Sequence, residues 1–170
     1  MRYLVLVLFS GSMLVGCVQS ELRTVEGIGV KNLRQPADGL YTGGQILEEQ
    51  MQSLAKAGCT NLICLRPADE SGTGWEEAKA REAGVNFVRI PVKGREGQSR
   101  ENGLELRKAM AASEDGTTLV YCGSGNRVGT LLALNAHWFE GMSKAEALAF
   151  GKTAGVTKME PILRDVLEMR

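Results

Sequence analysis

The stretch "LVYCGSGNRVG", residues 119–129, decides how the rest of the chain is read. It carries an apolar strand pattern into Cys122, curls through Gly123, Ser124 and Gly125, and reaches Asn126 and Arg127 where a helical pattern starts. Two glycines allow positive φ, so successive amide hydrogens can turn inward and form an anion-binding concavity. The positive end of the following helix points to the same place. Both effects favour the thiolate of a cysteine seated there. Arg127 adds a planar fork that matches two oxygens of a phosphate-like anion. A cysteine and an arginine alone would describe a buried strand-end thiol and a solvated cation. Strand, cysteine, glycines, arginine and helix in this order form the setting that nucleophilic chemistry requires.

Working outward, strand-like and helical runs alternate. "GLYTGG" (39–44) reads as a short strand and turn, and "ILEEQMQSLAKAG" (46–58) as a helix with Leu47, Met51, Leu54 and Ala55 on one face. "TNLICLR" (60–66) is a buried-strand pattern halted by Pro67, "GWEEAKAREAG" (74–84) a second helix, and "VNFVRIPV" (85–92) the next strand. Ser99 is placed to cap a third helix, and "TTLVYC" (117–122) is the strand that ends on the cysteine. Three more helical runs follow, with Gly141 and Gly155 as stops. The order predicts an α/β fold: a mostly parallel, four- to five-stranded sheet with helices on both faces and a helical C-terminal part. Ligands gather at the carboxyl ends of such strands, so the loops at 67–74, 93–99 and 123–127 are expected to open on one face.

Composition sets the bounds. The chain has 170 residues, 44% hydrophobic and 24% charged, which suits one domain with a real core. Twenty basic residues balance twenty acidic ones, so no net field draws nucleic acid and none is expected as a partner. His137 is the only histidine, which leaves almost no material for a histidine-based metal site or a Ser-His-Asp triad. Neither a metal nor another cofactor is expected. Arg2 and the apolar run at 3–15, too short to span a bilayer, read as a signal peptide over residues 1–16. "LVGC" (14–17) resembles the bacterial lipobox, which implies lipidation of Cys17, a tether over 17–30, and a domain over 31–170. The expected location is the bacterial cell envelope, lipid-anchored and facing the periplasm or the exterior. Cys59, Cys64 and Cys122 then remain, an odd number, and the first two sit in or beside an apolar run as small hydrophobes.

The segment Cys122-Gly-Ser-Gly-Asn-Arg127 resembles the active-site loop of the cysteine-dependent tyrosine and dual-specificity phosphatase superfamily. "DGLYTGGQ" (38–45), "NLICLRPADE" (61–70), "VNFVRIPV" (85–92) and "CGSGNRVG" (122–129) together resemble the bacterial phosphatase-like family named after beta-lactamase hydrolase-like proteins. The likeness spans about residues 31–170. It implies a dual-specificity-phosphatase-like fold and a phosphorylated substrate. Cys122 would be the nucleophile, residues Gly123, Ser124, Gly125, Asn126 and Arg127 would bind phosphate, and Arg127 would stabilise the transition state. The superfamily draws a general acid from a loop after an earlier strand, where Glu96 is the first candidate and Asp69 and Glu70 are the next. Ser124 and Thr130 are candidate hydroxyls for assisting the leaving thiolate, and Gln45 and Arg66 either line the pocket or brace its loops.

The pattern departs from the superfamily in three places. Four residues separate Cys122 from Arg127 where the phosphatases have five, Tyr121 stands where histidine is common, and Val128 where a hydroxyl residue is common. A six-residue loop is similar in size to that of rhodanese-type sulfurtransferases, in which a cysteine carries a persulfide. Sulfur transfer and simple oxyanion binding with little turnover therefore stand beside phosphoester hydrolysis.

Overall fold

The computed structural model describes residues 24–112 and 116–169; the signal-peptide and lipobox expectations, Cys17 included, lie outside them. Five strands form one sheet: β1 (Arg34–Ala37), β2 (Leu40–Gly43), β3 (Cys59–Cys64), β4 (Asn86–Arg89) and β5 (Thr117–Tyr121). Their spatial order is β1-β2-β5-β3-β4. Only β1, joined to β2 by a tight turn, runs antiparallel; β2, β5, β3 and β4 are parallel. The expected mostly parallel sheet is therefore present, with an added edge hairpin. Pro36 lies within β1, and an edge strand is where a sheet tolerates a residue without an amide hydrogen.

Side chains alternate across the strands, and two cores follow. One face of the sheet presents Tyr41, Leu62, Cys64, Leu119 and Tyr121 to Met51 and Leu54 of α1 (Met51–Lys56) and Ala80 of α2 (Glu76–Ala83). The other presents Leu40, Ile63, Val120 and Cys122 to α3 (Arg100–Ala111) and α4 (Asn126–Glu140). Helices α5 (Lys144–Thr153) and α6 (Glu160–Val166) pack outside α4 around Ala133, Leu134, Ala147 and Leu163. Leu54, Leu62 and Leu119 are fully buried, each worth about 1.5–3 kcal/mol of transfer free energy. Close approach of α4 to α5 depends on glycine: a Cβ on Gly129 would stand 2.8 Å from the Gly151 carbonyl oxygen.

Caps and stops fall where the residue types place them. The Ser99 hydroxyl accepts the Asn102 amide at the head of α3, and Ser143 and Glu146 form a reciprocal box at the head of α5. Gly84 and Gly141 end α2 and α4 in the left-handed region. The run at 46–58 is shorter as an α-helix than its periodicity suggests, because Glu48–Gln50 form a 3-10 turn first.

The folded unit starts before residue 31. Val25–Ile28 form a 3-10 turn, Val25 and Val30 are buried in the α1/α2 core, and the Tyr41 hydroxyl donates to Glu26 at 2.6 Å. Residues 24–30 thus pack against the domain, and the expected tether survives only as a proposal for 17–23.

Candidate active site

Strand β5 occupies the middle of the sheet, so Cys122, one residue past its end, emerges among the carboxyl ends of β2, β3 and β4. Its sulfur is buried, 1% exposed for the residue, on the α3/α4 face. The main chain then turns: Gly125 has φ +88°, a conformation strained for any residue with a Cβ, and Asn126 begins α4. This turn brings the Gly125 amide back to the Cys122 Sγ, at 3.2 Å. Among the described residues, the amides of Gly123, Ser124, Asn126 and Arg127 have no hydrogen-bond acceptor. Four free donors thus lie in the turn that follows the sulfur, at the head of a 15-residue helix.

The loop is braced from outside through its carbonyls. Asn32 Nδ2 donates to the Ser124 carbonyl at 3.1 Å, and the Gln45 amide reaches the Gly123 carbonyl at 3.5 Å. Carbonyls held outward leave the amides to face in. Asn126 ties the loop to the segment before α6: its Oδ1 accepts the Thr157 and Met159 amides at 2.8 and 3.1 Å, and its Nδ2 donates to Thr157 and Ser124 hydroxyls. Asn126, expected as a phosphate ligand, therefore offers its backbone amide to an anion while its side chain serves as a brace. Thr130 is fully buried and donates to the Asn126 carbonyl, which commits its hydroxyl to the helix; the Ser124 hydroxyl stays partly exposed.

Arg127 reaches across the mouth. Its Nη1 donates to Glu70 Oε1 at 2.6 Å and to the Val92 carbonyl at 3.1 Å, and its Nη2 donates to Glu70 Oε2 at 2.8 Å. Both Nη1 hydrogens are spent, whereas Nε and one Nη2 hydrogen stay free among the described residues. That free edge is itself a fork, and Nη2 lies close to Gly123. Glu70 raises the guanidinium pKa foremost, against burial, and the Cys122 sulfur adds to the effect. In return Arg127, then Arg66, hold the Glu70 carboxyl far below its ordinary range, at about 2. Glu70, one of the candidate acids, is thus committed through both oxygens to the two guanidiniums as their ion-pair partner.

Arg66 and Gln45 brace and do not line. Arg66 donates through Nε to Glu70 at 2.8 Å, through Nη1 to Gln45 Oε1 at 2.5 Å and through Nη2 to the Ser71 carbonyl at 2.6 Å. Gln45 Nε2 continues to Glu76 Oε1 at 3.0 Å, and Glu76 Oε2 accepts Arg89 Nη2 at 2.8 Å. Glu76 is fully buried; burial alone would raise its carboxyl, but bonds from Thr73, Gln45 and Arg89 hold it below the usual range. Glu96, the leading candidate acid, is exposed on the turn after β4. It shares an open cavity of about 730 Å³ with Pro67, Asp69, Arg89, Pro91 and Lys93. Among the described residues its carboxylate makes no ion pair, whereas Asp69 is bound to Lys93 at 3.3 Å. Cys59 and Cys64 are buried in the opposite core, and burial pushes both thiols up, Cys59 to about 11.

Residues 41–161 match the family described as Swiss Army Knife protein, DSP-PTPase phosphatase domain. The chain belongs to that family. This DSP-PTPase domain is also 31% identical over 120 residues to the beta-lactamase hydrolase-like protein of Xylella fastidiosa; the match covers 68% of this chain but 27% of that protein. Among solved structures, a DUF442 protein of Shewanella putrefaciens aligns at 23% identity over 82% of this chain and 93% of its own, with a TM-score of 0.63. TpbA of P. aeruginosa aligns at 18% identity over 81% and 84% with the same score of 0.63, and a TpbA variant is known in complex with phosphotyrosine. The phosphatase fold and family that the four sequence blocks resemble are thereby established for this domain.

Proposed function

We propose that the domain hydrolyses a phosphoester through a phosphocysteine intermediate. The Cys122 thiolate attacks phosphorus, an S–P bond forms, and the P–O bond to the leaving group breaks. Glu96 supplies the proton to the departing oxygen. The backbone amides of residues 123, 124, 126 and 127 and the free Nε/Nη2 edge of Arg127 take the charge that builds on the phosphoryl oxygens, while the Gly125 amide stays on the sulfur. Water then gives a proton to the ionised Glu96 and attacks phosphorus, the S–P bond breaks, and the thiolate returns. The observation that carries this reading is the turn after a buried sulfur, in which the Gly125 amide reaches Sγ and four neighbouring amides have no acceptor among the described residues, together with the unpaired Nε/Nη2 edge of Arg127.

A sulfur-transfer reading draws on one specific observation, the four-residue spacing between Cys122 and Arg127. The two part in one assay of the protein and its Cys122→Ser variant. Phosphate release from an aryl phosphate that the serine change abolishes supports hydrolysis; thiocyanate from thiosulfate and cyanide replaces it with sulfur transfer. If neither substrate turns over while inorganic phosphate shields Cys122 from alkylation, the domain is an oxyanion-binding module.

The substrate is a phosphorylated molecule, and phosphotyrosine, which TpbA binds, is the first to test. The domain resides in the bacterial cell envelope, facing the periplasm or the exterior and held there by a lipid on Cys17. Among the described residues no helix is long and apolar enough to cross a membrane. Incorporation of a labelled fatty acid that Cys17→Ser abolishes is the expected result; incorporation that persists in the variant, or none in either, rejects the anchor.

A further inference from the structure

Gln45 sits where two ion-pair clusters meet. On one side Arg127, Glu70 and Arg66 form a run of alternating charge that ends on Gln45 Oε1. On the other, Gln45 Nε2 meets the buried carboxylate of Glu76, which Arg89, Thr73 and the Gly74 amide also hold. A carboxylate only accepts and a guanidinium only donates, so a neutral group that joins them must do both. The primary amide does, and its neighbours leave one orientation: oxygen toward Arg66, nitrogen toward Glu76. The same residue touches the reactive loop through its backbone, since its amide reaches the Gly123 carbonyl.

Arg66 has its three nitrogens engaged by Glu70, Gln45 and Ser71. It is 8% exposed, and its side chain is fixed from three directions. Glu70 inherits that fixity, because one oxygen, Oε2, serves both Arg66 and Arg127. The direction of the Arg127 fork is therefore set from outside the loop that carries it.

We propose that Gln45 is a positioning residue for the oxyanion site: it orients the free edge of Arg127 through Arg66 and Glu70, anchored on Glu76. This rests on the anion-binding part of the function proposed above, though not on turnover. Loss of the link removes one of the three restraints on Arg66 and loosens Glu70 and Arg127 with it. The cost falls on anion affinity while the sulfur and its loop amides remain in place.

The test is protection of Cys122 from iodoacetamide by inorganic phosphate, read at the Cys122 peptide by mass spectrometry beside a thermal melt. Gln45→Leu is expected to raise the phosphate concentration needed for half-protection about tenfold, the size of one charged hydrogen bond, with little change in alkylation rate when phosphate is absent. Q45E alone should also weaken protection, since it sets two carboxylates against each other. Adding E76Q to Q45E exchanges the neutral and charged ends of the link, and should bring protection back to within about threefold of the parent. A merely structural role would shift the melt and would not be reversed by the exchange. Wild-type protection in Gln45→Leu overturns the proposal, as does failure of the folded double variant to recover. Failure of phosphate to protect the parent protein overturns it too, because no anion site then exists. Protection without turnover of an aryl phosphate defeats the proposed hydrolysis and leaves this inference standing.

Discussion

Arg127 and Glu70 meet edge to edge, Nη1 on Oε1 at 2.6 Å and Nη2 on Oε2 at 2.8 Å, and this pair leaves the adjacent Nε/Nη2 edge open. Bidentate pairing fixes the plane of the guanidinium as well as its position. An arginine so held enters the reaction already oriented.

Removal of that charge is expected to act on catalysis and on acid stability together. Glu70→Gln should lower kcat/KM for an aryl phosphate about tenfold, the cost of one weakened charged hydrogen bond. Glu70 has its folded pKa depressed from 4.5 to about 2, so its stabilising effect is complete above pH 4.5 and disappears as pH falls toward 2. The parent's melting temperature should therefore drop more steeply through that window than the variant's. Parallel acid melts check the sign.

Glu96 is tested by leaving-group dependence. Glu96→Gln should slow hydrolysis of a phenyl phosphate, whose leaving oxygen needs a proton, and leave a nitrophenyl phosphate almost unchanged. Equal slowing of both, or of neither, assigns the proton to another group.

The legible part of this protein is contiguous in the chain. Cys122, Gly123, Gly125 and Arg127 lie within six residues, so spacing alone conveys a strand end, a tight turn and a helix head. The alternation of strands and helices is just as local, which is why the parallel sheet and the cap at Ser99 emerge from pattern. The bracing is not local. Gln45 and Arg66 are 21 residues apart and Glu70 and Arg127 are 57 apart, and nothing in a glutamine or a glutamate identifies a partner at that distance. The edge strand β1, "RQPA", is short, lacks alternation and holds a proline, and its pairing with β2 comes from the turn. Residues 24–30 show only weak periodicity, yet Val25 and Val30 anchor them on the core.

Asn126 should separate folding from anion binding. Asn126→Ala leaves the Thr157 and Met159 amides without their acceptor, and a loss of about 1–3 kcal/mol is expected. Asn126→Asp keeps an acceptor, so its stability should lie nearer the parent's, but it places a negative charge at the anion site and should raise KM more than the alanine change does. Denaturant titration and steady-state kinetics on both variants read the two effects.

Oxidation should stop at a single sulfur. Cys64 pairs in register with Tyr121 and shares its face of the sheet, whereas Cys122, the next residue, belongs to the other face. With no other thiol on its side of the sheet among the described residues, Cys122 treated with mild peroxide should give a sulfenic acid that dimedone traps and a reductant reverses. A Cys64–Cys122 crosslinked peptide in a non-reducing digest would show that the sheet opens.

The turn at Val25–Ile28 bears on mechanics as well as folding. Tension applied ahead of Thr24 is taken first by the Glu26–Tyr41 bond, then by Val30 wedged against Gly43, and then by Asn32 on the Ser124 carbonyl. Residues 25–32 and the Cys122 turn lie in series, so a steady pull ahead of Thr24 would loosen that turn.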